Sequence, residues 1–113
     1  LRVRPAWSPV PSNPTFIVGS PAVTFANVTQ TTVTVNWTAP RGVGMTYKVE
    51  RAPESATTPG RAGTYVELAS GLGALTYDDV GPLTAGTRYF YRVTASNATP
   101  SSSAGSANVT TAP

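Results

Sequence analysis

The sequence has no cysteine and no histidine. Without cysteine there is no disulfide framework and no thiolate metal site, and the usual mark of an oxidising compartment is missing, so the redox setting stays open. Without histidine the commonest general base and metal ligand are gone, and a Ser or Cys nucleophile activated by His is excluded outright. Charge is scarce as well: Asp, Glu, Lys and Arg make up 12% of the 113 residues, roughly half the usual fraction. Among the five acids only Asp78 and Asp79 are adjacent. Neighbours on a strand point to opposite faces, so the two are badly placed as a catalytic pair and read as strand-end carboxylates. No loop is dense enough in Asp and Asn for calcium. Gly42-Val43-Gly44 and Gly71-Leu72-Gly73 lack the Lys and the longer spacing of a phosphate loop, and read as turns. A non-enzymatic chain with no catalytic residue, cofactor or metal is the expectation.

The net charge of +3 and pI of about 9.7 rest on seven Arg and one Lys spread along the chain without a cluster. A nucleic-acid-binding stripe is therefore not expected. No run approaches the ~20 apolar residues of a membrane-spanning helix, and residues 1–5 have neither the apolar core nor the cleavage site of a signal peptide, which reads as a mature or excised chain.

What the sequence does have is Ser and Thr, 28 positions between them, with Val scattered among 11 Pro and 10 Gly. β-Branched side chains suit a pleated surface, and the frequent Pro and Gly leave no window for a long amphipathic helix. Seven short apolar-alternating runs are predicted as strands: 22–28, 31–37, 46–52, 64–69, 75–80, 87–96 and 106–111. Turn signals separate them, among them Pro40-Arg41-Gly42, Pro59-Gly60, Ser70-Gly71, Gly81-Pro82 and Ser101-Ser102-Ser103. Period-two parity turns Val33, Val35 and Trp37 inward, with Tyr47 and Val49 in the third run and Tyr89, Tyr91, Val93 and Ala95 in the sixth. Lys48, Glu50, Arg88, Phe90, Arg92 and Thr94 turn outward. Two sheets, each with one apolar face, bury those faces on each other about 10 Å apart.

These residues resemble the fibronectin type III domains over residues 21–113. The likeness is carried by Pro21, by Thr32-Val33-Thr34-Val35-Asn36-Trp37 and by Tyr47-Lys48-Val49-Glu50-Arg51. The strongest part is the stretch from Leu83 through Gly86-Thr87, Tyr89, Tyr91, Val93 and Ala95 to Asn97. The resemblance implies an all-β, immunoglobulin-like sandwich of seven strands, with Trp37, Tyr47, Leu83, Tyr89, Tyr91 and Val93 as structural residues. It also implies that Tyr89 is the corner tyrosine, its hydroxyl bonded to backbone upstream. The family serves as spacer, adhesion and binding modules and brings no catalytic residue with it. Arg41-Gly42-Val43 lacks the acid of an Arg-Gly-Asp loop, so integrin-type binding is not expected.

Residues 1–20 fall outside the resemblance and read as a Pro-rich N-terminal arm or linker, extended at ~3.1–3.3 Å per residue and so reaching up to about 60 Å. Leu1, Val3, Trp7, Phe16, Ile17 and Val18 are its large apolar residues and need cover from their own domain or a neighbour. Phe90 between Arg88 and Arg92 is the other candidate contact, set against simple cross-strand packing. The Ser-rich stretch 97–105 reads as a solvated loop. Four of five Asn, namely Asn27, Asn36, Asn97 and Asn108, stand in Asn-x-Thr sequons; glycosylation and plain Thr enrichment on strands explain them equally well.

The expected role is a non-catalytic extracellular or cell-surface structural or adhesive module. One form of it is the building block of a filament, in which the arm adds a strand to the next subunit. The alternative is a spacer, or a carbohydrate-binding accessory module of a larger secreted protein, the last handicapped by having only Phe90 and Tyr65 as exposed aromatics. Protein, a second copy of the chain or a polysaccharide are the partners these readings require.

Overall fold

A computed structural model describes residues 19–41, 44–97 and 101–113. Among the described residues there are seven strands and no helix: β1 Val23–Ala26, β2 Val33–Trp37, β3 Thr46–Pro53, β4 Val66–Leu72, β5 Thr76–Asp79, β6 Arg88–Asn97 and β7 Ser101–Thr110. They form a three-stranded sheet in the order β1-β2-β5 and a four-stranded sheet in the order β4-β3-β6-β7. Every pairing is antiparallel.

The inward residues expected from parity meet between the sheets. Val33, Val35 and Trp37 from β2 pack with Tyr47 and Val49 from β3 and with Tyr89, Tyr91, Val93 and Ala95 from β6. Leu83 closes one end, and Val23, Phe25, Leu68, Leu72, Tyr77 and Val109 pack on the rim. Two tilted ring pairs cross the gap: Phe25 on Tyr91 and Trp37 on Tyr47, each with centroids 5.6 Å apart. Alternation alone explains this core, because β-branched and aromatic side chains on one face of each strand lose water only by facing the other sheet.

Two expected turns are strand instead. Ser101-Ser102-Ser103 opens β7, which begins five residues before the predicted start at 106 and pairs with β6 in ten consecutive steps from Asn97↔Ser101 to Arg88↔Thr110. The solvated-loop reading of 97–105 therefore fails for 101–105. Small neutral side chains give no alternation signal, yet the long β6 supplies a complete ladder of backbone partners. Ser70-Gly71 lies inside β4, where the register against β3 shifts twice between Tyr47 and Glu50. Gly71, at φ +66°, takes up that irregularity in a conformation costly for other residues.

Candidate interaction surfaces

Parity sets the outer face of the four-stranded sheet. Glu50 and Arg92 are register partners on adjacent strands, and Arg92 Nε donates to Glu50 Oε1 at 2.8 Å. The guanidinium also lies 4.1 Å from the centroid of the Tyr65 ring. Lys48 stands 4.0 Å from the same carboxylate, and Arg88 pairs with Glu54 at 3.6 Å. The Arg92 hydrogen bond holds the Glu50 carboxyl below the ordinary range, against the opposing effect of burial, and raises Arg92 in turn. Phe90 is half-buried opposite Ala52. Ala52 points outward by parity and is nevertheless fully buried. The surface expected around Arg88, Phe90 and Arg92 is thus a charge-paired stack, and one face of Tyr65 is already taken by a cation.

The second cluster lies between the sheets. Asp79, an inward position on β5, is 3% exposed and accepts four hydrogen bonds from three donors. Arg51 Nη1 reaches both carboxylate oxygens at 2.9 and 2.7 Å, Tyr91 Oη donates at 2.6 Å, and the Gly81 N–H donates at 3.0 Å. Burial, reinforced by the neighbouring carboxylate, pushes the Tyr91 phenol far above its ordinary range. Burial works against the Arg51 charge, but its bonds to Asp79 outweigh this and raise it. A carboxylate accepting four hydrogen bonds on its two oxygens has no lone pair to spare for acid or base work. It clamps β3 and β6 of one sheet to β5 of the other.

The third region is the core-facing side of β7, where Ser103 and Gly105 are register partners of the inward Ala95 and Val93. Residues 19–21 lie against it: Ser103 Oγ donates to the Gly19 carbonyl and sits 3.1 Å from Ser20 Oγ. A side chain at Gly105 would meet the Pro21 carbonyl oxygen, 1.9 Å from its Cβ position. Past the other end of the strand, Ala112 N–H donates to the Thr29 carbonyl at 3.0 Å, and Gln30 Nε2 to Pro113 O at 2.7 Å. Thr111 is buried, its hydroxyl tied to Thr84 O and the Thr87 N–H. Close by, the Thr84 N–H donates to the Tyr89 hydroxyl at 2.9 Å.

The candidate residues named from sequence scatter over these regions. Leu1, Val3, Trp7, Phe16, Ile17 and Val18 lie outside the described residues. Asn27 is exposed in a turn at φ +50°. Asn36 sits mid-strand on the central strand of the smaller sheet, flanked by Thr24 and Thr76. Asn97 ends β6 half-buried, and Asn108 is exposed on β7. Sequence reasoning missed Arg51 with Asp79, and Gly105 with Pro21. Parity carried the first signal, since it turns Arg51 inward beside Val49. Nothing local to Gly105 announces the second. Among the described residues no group of His, Cys, Asp or Glu is arranged to hold a metal ion, and no helix is long and apolar enough to cross a membrane.

Residues 12–111 match the family model of the fibronectin type III domain. The fold is similar to the solution structure of the fn3 domain of the human collagen alpha-1(XX) chain, with a TM-score of 0.66, 27% identity, and coverage of 93% of this chain and 91% of that one. It is similar also to a two-domain fibronectin type III segment of chicken tenascin, with a TM-score of 0.65, 26% identity, and coverage of 84% of this chain and 51% of that segment. The FN5 domain of Drosophila Lar, 20% identical with a TM-score of 0.60 and coverage of 84% and 97%, shares the fold. A search of curated proteins finds no match.

Proposed function

This chain belongs to the fibronectin type III family, and from that premise we propose that it is a non-catalytic extracellular module that spaces or presents neighbouring parts of a larger surface or secreted assembly. The family is generally non-catalytic, mediates protein interactions and is common in extracellular proteins. The observation that carries the spacer reading is the placement of the two ends of the sandwich. Residues 19–20 contact β7 at Ser103, and Pro113 lies beyond its last residue, Thr110. Chain entering at one pole and leaving at the other lengthens whatever it is inserted into. A ten-residue strand spans roughly 34 Å. Three copies joined end to end should gain about that length per copy in small-angle X-ray scattering; a compact particle that does not lengthen with copy number would overturn the reading.

A second reading, the filament subunit, draws support from the long uncharged edge of β7, since strand addition needs an open edge. Its donor would be the arm of residues 1–20. Negative-stain microscopy and light scattering on the full chain and on residues 21–113 test it: fibres from the full chain alone support it, and monomers from both end it. The carbohydrate-binding reading loses ground because Arg92 covers one face of Tyr65. Glycosylation, where the host supports it, fits Asn27 and Asn108, the two exposed acceptors among the described sequons. Intact-mass measurement after secretion from a glycosylating cell, compared with Asn27→Gln and Asn108→Gln, decides it.

A further inference from the structure

On β7 the even-numbered residues face outward. Ser102, Ala104, Ser106, Asn108 and Thr110 are all exposed, and none is larger than Asn. Their register partners on β6 are Ser96, Thr94, Arg92, Phe90 and Arg88. Phe90 is the one aromatic residue in these two rows. It stands between Ala52 on β3, which is fully buried, and Asn108 on β7, which is exposed. Phe90 itself is half-buried, so part of its ring stays in water with only small neutral side chains on the β7 side.

The two arginines that flank Phe90 along β6 are held elsewhere. Arg92 is drawn to Glu50 on β3 at 2.8 Å and to the Tyr65 ring, and Arg88 to Glu54, just past β3, at 3.6 Å. The charge is therefore spent toward β3, and the β7 half of the face is neutral and rich in hydroxyls. Asn108 and Thr110, the first and third residues of one sequon, stand exposed on that half. The other acceptors are placed less well. The Asn27 amide already donates to Thr34 Oγ1 at 3.4 Å, and Asn36 and Asn97 are half-buried.

We propose that Asn108 is an N-glycan acceptor whose first sugar lies on the Phe90 ring, so that the glycan becomes the cover of the β6–β7 half of the outer face. This rests on the acceptor reading of Asn108 given above. The donor is a lipid-pyrophosphate-linked oligosaccharide. A bond forms between Asn108 Nδ2 and the anomeric carbon, the bond from that carbon to the pyrophosphate oxygen breaks, the lipid pyrophosphate leaves, and one amide proton passes to a base of the transferase. Residues 108–110 lie inside a paired strand, so the transfer precedes the docking of β7 on β6. Once β7 docks, the register sets Asn108 opposite Phe90, with their Cβ atoms ~4.5–5.5 Å apart. The C–H face of a pyranose is apolar and suits the electron-rich face of an aromatic ring, while Ser106 and Thr110 stand on either side for its hydroxyls. A free saccharide gains little from one half-buried ring. A sugar bonded to the neighbouring residue meets that ring as an intramolecular group, at the effective concentration its tether supplies.

The test uses the full chain, secreted from an insect cell and, as the unmodified reference, made in a bacterium. Peptide mapping reads occupancy at Asn108. Thr110→Ala removes the hydroxyl that the transferase requires and leaves Asn108 in place. The difference between secreted parent and secreted Thr110→Ala, less the same difference between the bacterial proteins, isolates the Asn108 glycan. That glycan should raise the thermal midpoint by about 2–8 °C. In a Phe90→Leu background, which keeps an apolar side chain beside Ala52 and removes the ring, the rise should disappear. An occupied Asn108 with the same rise in both backgrounds, or with none in the parent, overturns the docking and leaves the acceptor reading standing. An unmodified Asn108 overturns both. Should Phe90→Leu fail to fold, nuclear Overhauser contacts between the first N-acetylglucosamine and the Phe90 ring protons of the secreted parent carry the test, and their absence overturns the docking.

Discussion

Parity along β5 turns Tyr77 and Asp79 inward and leaves Asp78 outside, so two identical side chains side by side do opposite work. Asp78 accepts from Thr34 Oγ1 at 2.9 Å on the exposed face. Asp79 holds Arg51, Tyr91 and the Gly81 amide in the interior. Removing one partner of a buried ion pair costs more than the pair's net stabilisation, because the other charge is left uncompensated. Asp79→Ala should lower unfolding stability by about 3–5 kcal/mol, read as a drop in urea midpoint at constant slope, with Asp79→Asn losing less because its amide oxygen still accepts. Tyr91 adds a dependence on pH. Its folded pKa is raised, so its stabilisation is complete below the unfolded value of about 10 and is lost as pH climbs above that toward the folded value. Stability of the parent should fall from about pH 10 upward, and Tyr91→Phe should flatten that decline while costing stability at neutral pH. The inward Tyr and Trp residues were legible from alternation alone. The clamp was not: its two charged ends lie far apart in sequence, and only the packing of one sheet on the other brings them together.

At the scale of elements, the strands with β-branched or aromatic residues at every second position announce themselves, and β2, β3 and β6 stand where the pattern puts them. β7 does not, because an edge strand of Ser, Ala and Gly owes its conformation to the backbone ladder offered by β6 and not to its own side chains. The outer face of the large sheet was legible as a direction, with Arg88, Phe90 and Arg92 turned out. That Arg92 would be spent on Glu50 and Tyr65 depends on the cross-strand register, which no local pattern specifies. The corner ahead of β6 shows the reverse dependence. Gly86 takes φ +61°, the chain turns back, and the Tyr89 hydroxyl comes to accept from the Thr84 amide. Tyr89→Phe should keep the ring packing and cost about 0.5–1.5 kcal/mol, the net worth of one hydrogen bond. Hydrogen exchange at the Thr84 amide should rise well above that of the core amides. Unchanged protection there would mean that the turn is held by Leu83 packing alone.

At the scale of the whole molecule, ring pairs and a buried ion pair join the two sheets among the described residues. Phe25 packs at a tilt on Tyr91, Tyr91 bonds Asp79, Asp79 binds Arg51, and Trp37 packs at a tilt on Tyr47 near the other pole. Neither sheet buries its apolar face without the other, so neither has a stable folded state of its own, and the described sandwich should unfold in one step. The measurement is a denaturant titration followed at once by far-ultraviolet dichroism, which sees strands, and by near-ultraviolet dichroism, which sees the packing of Tyr91, Tyr47 and Trp37. The two curves should coincide. Val35→Ala, at a position with no exposure, should shift both together by about 1.5–3 kcal/mol from lost burial, with a further contribution from any cavity left behind. Asp79→Ala tests the coupling more sharply, because it cuts the polar clamp and leaves the apolar interface in place. If apolar burial is what makes the sheets one unit, the curves of that variant move to lower denaturant and still overlay. A near-ultraviolet signal lost well before the strands melt would mean instead that the Arg51–Asp79 clamp holds the sheets in register.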